Sequence, residues 1–211
     1  MLLVDAVIEM PQVIMNKSIN DMMSEHRLSV EVLASLDALV DKLQRNEAVP
    51  RGDVAGFATF FQGFADRCHH GKEEDRLFVK LNQFGFSKEH GPVAVMLAEH
   101  TAGRAQVRAW AETGAKSGPL TPDEIKSVVA HGREFVPLLL SHIHKENHVL
   151  YPMAQQAIPP DEFKQLDAEC EAFEREVMGA GEIQRLKEVA AQLIQAYPPA
   201  PDKLAAALAH L

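Results

Sequence analysis

The sequence predicts an all-α protein. Apolar residues recur with the 3.6-residue period of a helix over long segments, and Pro and Gly clusters separate those segments. The alternation of β-branched residues that marks strands is sparse. With 211 residues, of which 46% are hydrophobic and 24% charged, the chain has an ordinary globular composition and is long enough for one buried core.

Five helical segments follow one another along the chain. Their predicted bounds, in order, are 18–46, 53–83, 92–114, 121–158 and 161–195. The first ends before Pro50, the second stops near Gly85, and the fifth is expected to break at Gly179-Ala180-Gly181. After Tyr197 and two prolines, the tail resembles a short appended helix.

The start of the fourth segment has a specific capping signal. Thr121 is placed as N-cap, Pro122 as the first helical residue and Glu124 as the third, which together form a capping box. Pro137 and Pro152 lie inside the segment. Each is expected to kink the helix, and Pro152 is able to end it early.

Charge and cysteine content limit the possible partners and compartment. The net charge is -9, so nucleic acids and anionic membranes are not expected partners. Two cysteines, Cys68 and Cys170, fit a reducing compartment better than a disulfide scaffold. The apolar residues 1–15 are interrupted by Asp5 and Glu9 and lack a basic start, so we expect neither signal peptide nor membrane span. The expected location is the cytoplasm.

Two stretches of the chain, 68–78 and 141–151, repeat one motif without gaps. Both contain His-x-x-Lys-Glu-x-x-x-Leu followed by an aromatic residue, which aligns His69 with His142 and Glu73 with Glu146. A His and a Glu four residues apart lie on one helix face and are able to meet the same ion. Because the unit occurs twice, the sequence suggests two metal ions bound with approximate two-fold symmetry.

Helical periodicity tests which candidate ligands point inward. His142 and Glu146 fall in the apolar stripe of their helix, and His26 and His100 fall in the stripes of theirs. The second segment is ambiguous, since His70 and Glu74 also form an i,i+4 pair, and the repeat favours His69 and Glu73. Helix lengths allow the inward histidines to meet at one level of an up-down bundle. The histidines expected at the surface are His70, His90, His131, His144, His148 and His210.

The candidate ligands also allow less specific interpretations than a metal site. A single His on an apolar face is more often a hydrogen-bonded core residue than a ligand. A buried carboxylate, however, requires a cation, a metal or a proton. Arg104 is the best non-metal partner. Glu74 is expected on a solvated face, with a place beside a ligand or as a ligand itself as the alternative. Cys68 is expected to pack in the core, with redox sensing as the alternative. Further core residues are expected to be Phe57, Phe60, Phe61 and Phe64.

The chain resembles the family of hemerythrin-like, HHE cation-binding domain proteins. The match rests on Ser24-Glu25-His26-Arg27, on the two repeat units and on 91–100, which ends in Ala98-Glu99-His100, and it covers roughly 18–158. The resemblance implies an up-down-up-down four-helix bundle that holds a non-haem di-iron centre with a bridging oxo or hydroxo group. Zinc or manganese would fit the same ligands.

The resemblance also implies a role for each candidate ligand. The terminal ligands would be His26, His69, His100 and His142, and the bridging ligands would be Glu73 and Glu146. The predicted parts are a 1–17 extension, an 18–158 metal-binding bundle and a 159–211 helical region packed on that bundle.

One departure from the family pattern affects the expected chemistry. Oxygen-carrying hemerythrins have a second His one turn after the third-helix His and an Asp five residues after the last-helix His, where this chain has Arg104 and Asn147. A fifth nitrogen ligand is therefore missing from the pattern, which leaves more open coordination positions. Reaction of the metal centre with dioxygen, peroxide or nitric oxide is consequently expected more than reversible oxygen carriage.

The expected function is a di-iron protein that binds, senses or reduces dioxygen, peroxide or nitric oxide. The alternatives are a peroxidase or nitric oxide reductase, an iron store or donor, and a metal-free helical interaction module. The sequence names no physiological ligand, redox partner or oligomeric state.

Overall fold

A computed structural model describes residues 16–211 of the chain. Within that range the regular structure is helical and contains no strand, which confirms the all-α prediction. The expectation that the N-terminus holds neither a signal peptide nor a spanning segment concerns residues 1–15, which lie outside the described residues. Among the helices of residues 16–211, none is both long and apolar enough to cross a membrane.

Four long helical rods form the bundle. The first bundle helix is α1 (Lys17–Gln44). The second contains α2 (Arg51–Phe60), π-helical stretches at Phe61–His70 and Glu73–Leu77, and α3 (Phe78–Gln83). The third is α4 (Pro92–Gly114). The fourth contains α5 (Pro122–Lys145), a π-helical stretch at Glu146–Leu150, and α6 (Tyr151–Ala157).

The remaining residues form a C-terminal helical region. It contains α7 (Pro160–Phe173), a π-helical stretch at Glu174–Met178, α8 (Glu182–Ala196) and α9 (Pro201–Leu208). Gly179 and Gly181 separate α7 from α8 with positive φ angles of 80° and 84°, a conformation that glycine adopts without strain. The expected break in this segment and the short helix of the tail are both confirmed.

The predicted capping box at the fourth bundle helix is present. The Glu124 backbone N–H donates to Thr121 Oγ1 at 3.3 Å, and the Thr121 backbone N–H donates to Glu124 Oε2 at 2.9 Å. Glu124 also accepts from Arg51 at 2.7 Å, while Arg51 donates to the backbone oxygen of Thr113 at 2.7 Å. This buried guanidinium therefore connects the start of α2 to the turn between α4 and α5.

The π-helical stretches are the main departure from the regular helices that the sequence predicted. A π-helix has wider turns than an α-helix, so each stretch shifts the facing of the residues around it. Val149, an apolar residue of the π-helical stretch Glu146–Leu150, is 47% exposed. Each π stretch of the bundle also includes or adjoins a candidate metal ligand.

The apolar interior is divided into two clusters along the bundle axis. One includes Leu33, Trp110 and Phe135, and the other includes Ile19, Leu81 and Val93. The phenylalanines expected in the core, Phe57, Phe60, Phe61 and Phe64, are all buried. Along each bundle helix the candidate ligands lie at or next to the boundary between the two clusters, so a polar layer crosses the middle of the bundle.

The C-terminal region contacts the first and second bundle helices. Leu193 and Leu186 of α8 approach Gly56 and Gly63 of the second helix so closely that a Cβ at either glycine would lie 3.2 or 2.8 Å from a leucine methyl group. Lys203 of α9 pairs with Asp37 of α1 at 2.6 Å. The division into 1–17, 18–158 and 159–211 remains a prediction.

Substitution of Gly114 should destabilise the bundle more than substitution of another helical glycine. A Cβ at Gly114 would lie 2.7 Å from both Cα and Cβ of Ala55, and such a backbone contact is relieved only if α4 moves away from α2. We expect Gly114→Ala to lower the free energy of unfolding by about 1–3 kcal/mol. The control is Gly52→Ala, where the added methyl meets nothing within 4 Å. Urea denaturation would contradict this packing if both variants unfolded at the same midpoint.

Candidate metal centre

The six side chains that the sequence selected lie together in the polar layer at mid-bundle. Every one is buried, with exposed fractions from 0 to 3% for His26, His69, Glu73, His100, His142 and Glu146. The first and third bundle helices each contribute one histidine, and the second and fourth each contribute a His and a Glu from the repeated motif. These imidazole and carboxylate groups lie between two apolar clusters, which cannot stabilise a charge on them.

The ligand-type atoms separate into two groups, each suited to one ion. The first group comprises His26, His69 and Glu146, and the second comprises His70, Glu73, His100 and His142. Within each group the nitrogen and oxygen atoms lie within 4.8 Å of one another. The groups come from different combinations of helices, so the site depends on the folded bundle.

The two glutamates connect the groups in different ways. Glu146 directs Oε2 to His26 Nε2 and Oε1 to His142 Nε2, each at 3.1 Å, so one oxygen faces each group. Glu73 directs Oε2 towards both groups, 3.4 Å from His100 Nε2 and 3.7 Å from His69 Nε2. Its Oε1 accepts a hydrogen bond from the Tyr151 hydroxyl at 2.8 Å.

The sequence repeat appears as an approximate two-fold symmetry of the site. The aromatic residue that ends each repeat unit stacks on the single histidine of another helix. Tyr151 stacks on His26 with centroids 5.6 Å apart and a 5° interplanar angle, and Phe78 stacks on His100 at 6.0 Å and 12°. The two halves differ in one group, because Tyr151 carries a hydroxyl and Phe78 does not.

Acidic or amide oxygens orient the four predicted histidine ligands from outside. Each Nδ1 faces such an oxygen: His26 with Asn147 at 2.8 Å, His69 with Glu25 at 2.8 Å, His100 with Glu74 at 2.6 Å and His142 with Glu99 at 3.0 Å. Since an ionised carboxylate only accepts, Nδ1 carries the hydrogen and the Nε2 lone pair points inward. This is the usual arrangement around metal-binding histidines in proteins.

Cations hold these outer carboxylates in place. The buried Lys72 binds Glu25 and also Glu174 of the C-terminal region, the latter at 2.6 Å. Lys145 binds Glu99, and Arg104 binds Glu74 at 2.8 Å. Lys72 and Lys145 occupy equivalent positions of the two repeat units, so the motif supplies the orienting cation together with the ligands.

In the metal-free protein, two of the histidines bind protons beside the buried carboxylates. Burial lowers the pKa of His100 and His142, but the neighbouring carboxylates, Glu146 foremost, outweigh it and raise these pKa values to about 11 and about 9. Burial, followed by the charge of His26, lowers the pKa of His69 to about 3. Burial raises the pKa of Glu146, yet the nearby histidines bring it well below its usual range.

The hydrogen-bonding capacity of the site is incompletely used by protein groups. Within residues 16–211, buried side-chain atoms that lack a hydrogen-bond partner include His26 Nε2, His69 Nε2, Glu73 Oε2 and both carboxylate oxygens of Glu146. Imidazole nitrogen and carboxylate oxygen together are suited to iron, zinc or manganese. Unpartnered buried atoms of this kind are costly unless they meet a cation, so the residues fit a metal centre.

Several predictions about neighbouring residues require correction. The expectation that His70 lies at the surface is wrong, since its side chain is buried within the second group. Glu74 is not on a solvated face, because it is half-buried and accepts from His100. Arg104 pairs with Asp66 and Glu74 rather than with Glu73 or Glu146. The exposure of His144 and His148 is confirmed, and Cys68 is buried as expected.

Two cavities adjoin the site. The larger, about 170 Å³, lies among the second, third and fourth bundle helices and reaches His70, His100 and His142. The smaller, about 10 Å³, touches His26 and His69 and has room for about one water-sized group. Four residues line both cavities: Ala65, His70, Leu139 and His142.

Comparison with known protein families agrees with this geometry. Residues 17–154 match the family described as the hemerythrin HHE cation binding domain. That region includes all four bundle helices up to α6 and every candidate ligand. The chain therefore belongs to the hemerythrin HHE cation-binding family. No solved structure matches it.

The curated relatives share a name that refers to iron. The iron-sulfur cluster repair protein YtfE of Yersinia pseudotuberculosis serotype IB (strain PB1/+) is 29% identical over 133 residues, which cover 59% of this chain and 58% of that protein. YtfE of Yersinia pestis (strain Pestoides F) gives the same identity and coverage. The similarity thus spans less than two thirds of the length of these relatives.

Metal-free protein should lose stability as the pH rises above neutrality. Folding raises the pKa of His142 from 6.5 to about 9 and that of His100 to about 11. Groups with raised pKa values stabilise the fold fully below pH 6.5 and progressively less as the pH approaches the folded-state value. We therefore expect the Tm of chelator-treated protein to fall from pH 6.5 to 9 and beyond.

The control for this pH effect is zinc-saturated protein, in which the imidazoles bind as neutral ligands and the same fall should be absent. Thermal melts followed by circular dichroism make the comparison. A metal-free Tm that stayed level relative to the zinc form would show that these histidines do not hold the protons.

Proposed function

We propose that this protein holds two non-haem iron ions and uses them to bind a small ligand, namely dioxygen, nitric oxide or peroxide. The observation that carries the proposal is Glu146, whose two unpartnered oxygens each face a different histidine group at 3.1 Å. Bridging carboxylates offset the repulsion between two nearby cations. In this proposal His26, His69, His100 and His142 are terminal ligands, while Glu73 and Glu146 bridge.

Charge balance permits two ions, and the two histidine groups favour two over one. Two ferrous ions carry four positive charges, and two glutamates with one bridging hydroxide supply three negative charges, which leaves roughly one net positive charge in the core. The small cavity beside His26 and His69 has room for a bridging oxygen of that size. A single divalent ion would leave one of the two histidine groups without a cation.

Each surrounding residue has a defined task when the ions are bound. Ferrous ions supply electrons and coordination positions for a diatomic or peroxide ligand. The outer carboxylates hold the imidazoles neutral and correctly oriented, and the apolar clusters on both sides limit water entry. Tyr151 keeps a proton on its hydroxyl oxygen, 2.8 Å from Glu73 Oε1, and thereby stabilises that carboxylate.

The larger cavity provides a route for the ligand. Its volume of about 170 Å³ exceeds the need of a diatomic molecule, and its wall is mainly apolar, with Phe61, Val107 and Leu138 among the lining residues. Uncharged small molecules favour such a lining over water. Because Ala65 and Leu139 line both cavities, a ligand passing between them would reach the His26 and His69 side of the site.

Two related activities are second candidates. Reduction of peroxide or nitric oxide would make the protein an enzyme, and the proton on Tyr151 beside Glu73 favours it. Storage or donation of iron is favoured by the name of the relatives, iron-sulfur cluster repair protein. We place all three activities in the cytoplasm, in keeping with two buried cysteines that are free thiols.

Metal analysis combined with visible spectroscopy tests the leading proposal. Protein purified without air and loaded with ferrous iron should contain two equivalents per chain, and oxidation should produce the near-ultraviolet absorption of an oxo-bridged diferric centre. Absence of bound metal would reject the proposal in favour of a helical interaction module. Steady-state consumption of peroxide or nitric oxide would favour the enzyme over the binder.

Loss of either bridging carboxylate should remove at least one iron. We expect Glu73→Ala and Glu146→Ala to retain about one equivalent of iron or less, because each glutamate contacts both histidine groups. The matched controls are His144→Ala and His148→Ala on the exposed face of the fourth bundle helix. Retention of both irons by the Glu variants, or iron loss in the controls, would refute the ligand assignment.

Filling the larger cavity should slow ligand entry without changing the metal content. Leu138→Trp adds bulk to a partly exposed lining position that is not itself a candidate ligand. We expect it to lower the association rate of nitric oxide with the diferrous protein several-fold, as measured by stopped-flow spectroscopy. The control at the same position, Leu138→Ala, should leave that rate unchanged or raise it. Equal rates in both variants would mean that the ligand enters elsewhere.

A further inference from the structure

Side chains of the second bundle helix and of α4 pair at successive levels along the larger cavity. His70 stacks on His100 with ring centroids 3.8 Å apart. Four residues before His70 and four residues after His100, Asp66 pairs with Arg104 at 2.7 Å. The two helices are therefore antiparallel here, and equal steps from the histidine level reach the same height on both. All four side chains line the cavity.

The next level outward consists of Gln62 and Arg108. Gln62 lies four residues before Asp66, Arg108 lies four residues after Arg104, and both line the cavity. Both residues are exposed, so this level forms the opening of the cavity to solvent. In the described part of the chain, no hydrogen bond or ion pair joins either side chain to another group. Because a guanidinium has five N–H donors and an amide has two, this level presents donors without a matching anion.

The other formal charges of the cavity lining are neutralised by ion pairs. Asp66 binds Arg104, and Glu99 binds Lys145. Among the Asp, Glu, Lys and Arg residues that line the cavity within residues 16–211, this leaves Arg108 without an ionic partner. A positive charge at a concave opening attracts anions, and a carboxylate is able to accept two parallel hydrogen bonds from a guanidinium.

Behind this opening the cavity wall is largely apolar and aromatic. Phe61 and Phe135 meet edge to face with ring centroids 5.0 Å apart, and Val107, Leu138 and Leu139 also line the cavity. The volume is about 170 Å³, whereas an apolar cavity of about 150 Å³ holds one benzene molecule. Volume and lining therefore suit an apolar group of six or seven carbon atoms, such as an aromatic ring.

We propose that the larger cavity is a binding site for a small monocarboxylic acid with an aryl or short alkyl tail. The carboxylate accepts hydrogen bonds from Arg108 and Gln62 at the opening, and the tail lies between Phe61, Phe135 and Leu138. This inference goes beyond the proposed function and requires no bound iron. Where the proposed function holds, the same occupant fills the route of the small ligand and thereby controls access to the metals.

Fluorine NMR titration with 4-fluorophenylacetate tests this site, with 2-(4-fluorophenyl)ethanol as a neutral probe of similar size. We expect the acid to bind about tenfold more tightly than the alcohol, because the carboxylate adds hydrogen bonds to a charged group. Metal-free and zinc-loaded protein should give the same result. Absence of binding, or equal affinity for both probes, would overturn the proposal. Binding of the acid only when zinc is present would place the carboxylate on the metal and would also overturn it.

Three variants locate the bound acid. Arg108→Gln should weaken binding of the acid about tenfold and leave that of the alcohol unchanged, because the hydrogen bonds to the charged group are lost. The matched control Arg27→Gln removes an exposed arginine of α1 and should bind both probes like the wild type. Leu138→Trp should weaken both probes, since it fills the tail site.

Arg108 is exposed, so its replacement should leave the fold intact and the result interpretable. An Arg108→Gln protein that bound the acid as tightly as the wild type would contradict the site. Because every titration succeeds or fails without iron, a negative result here leaves the two-iron proposal untouched. Conversely, a protein that held no iron would still be expected to bind the acid.

Discussion

Burial of two carboxylates at the centre of a helical bundle is the constraint on which the rest of this structure depends. Glu73 and Glu146 have no exposed surface, and three of their four oxygens lack a hydrogen-bond partner. An uncompensated carboxylate in an apolar interior costs several kcal/mol. The inward histidines, the outer carboxylates and the orienting lysines all follow from the need to place cations beside these two groups.

The groups that offset the charge of Glu73 and Glu146 lie in successive shells around these two carboxylates. Imidazoles surround the carboxylates, oxygen acceptors hold each imidazole from outside, and Lys72, Arg104 and Lys145 hold the three carboxylates among those acceptors. The layering extends into the C-terminal region, because Glu174 completes the environment of Lys72. Asn147, which orients His26, also donates to the backbone oxygen of Leu211 at 3.4 Å. The C-terminal helices therefore support the site as well as cover the bundle.

The sequence predicted the fold and the residues that meet at mid-bundle because both depend on local periodicity. The repeated His-x-x-Lys-Glu unit fixed the pairing of His69 with Glu73, and the apolar stripes identified His26 and His100. The burial of His70 was missed because His70 and Glu74 have the same spacing as His69 and Glu73, and the repeat favoured His69 and Glu73. The acceptor pairs, such as Glu99 with His142 or Glu25 with His69, join different helices and emerge only once the helices are packed. The link from Tyr151 to Glu73 depends on the same packing.

A crystal of the iron-loaded protein, measured at the iron absorption edge, would test the central claim most directly. The account predicts two anomalous peaks inside the bundle, about 3.5–4 Å apart, on either side of the Glu146 carboxylate. It would be contradicted by a map without iron at mid-bundle, in which Glu73 and Glu146 were neutralised by protonated histidines alone.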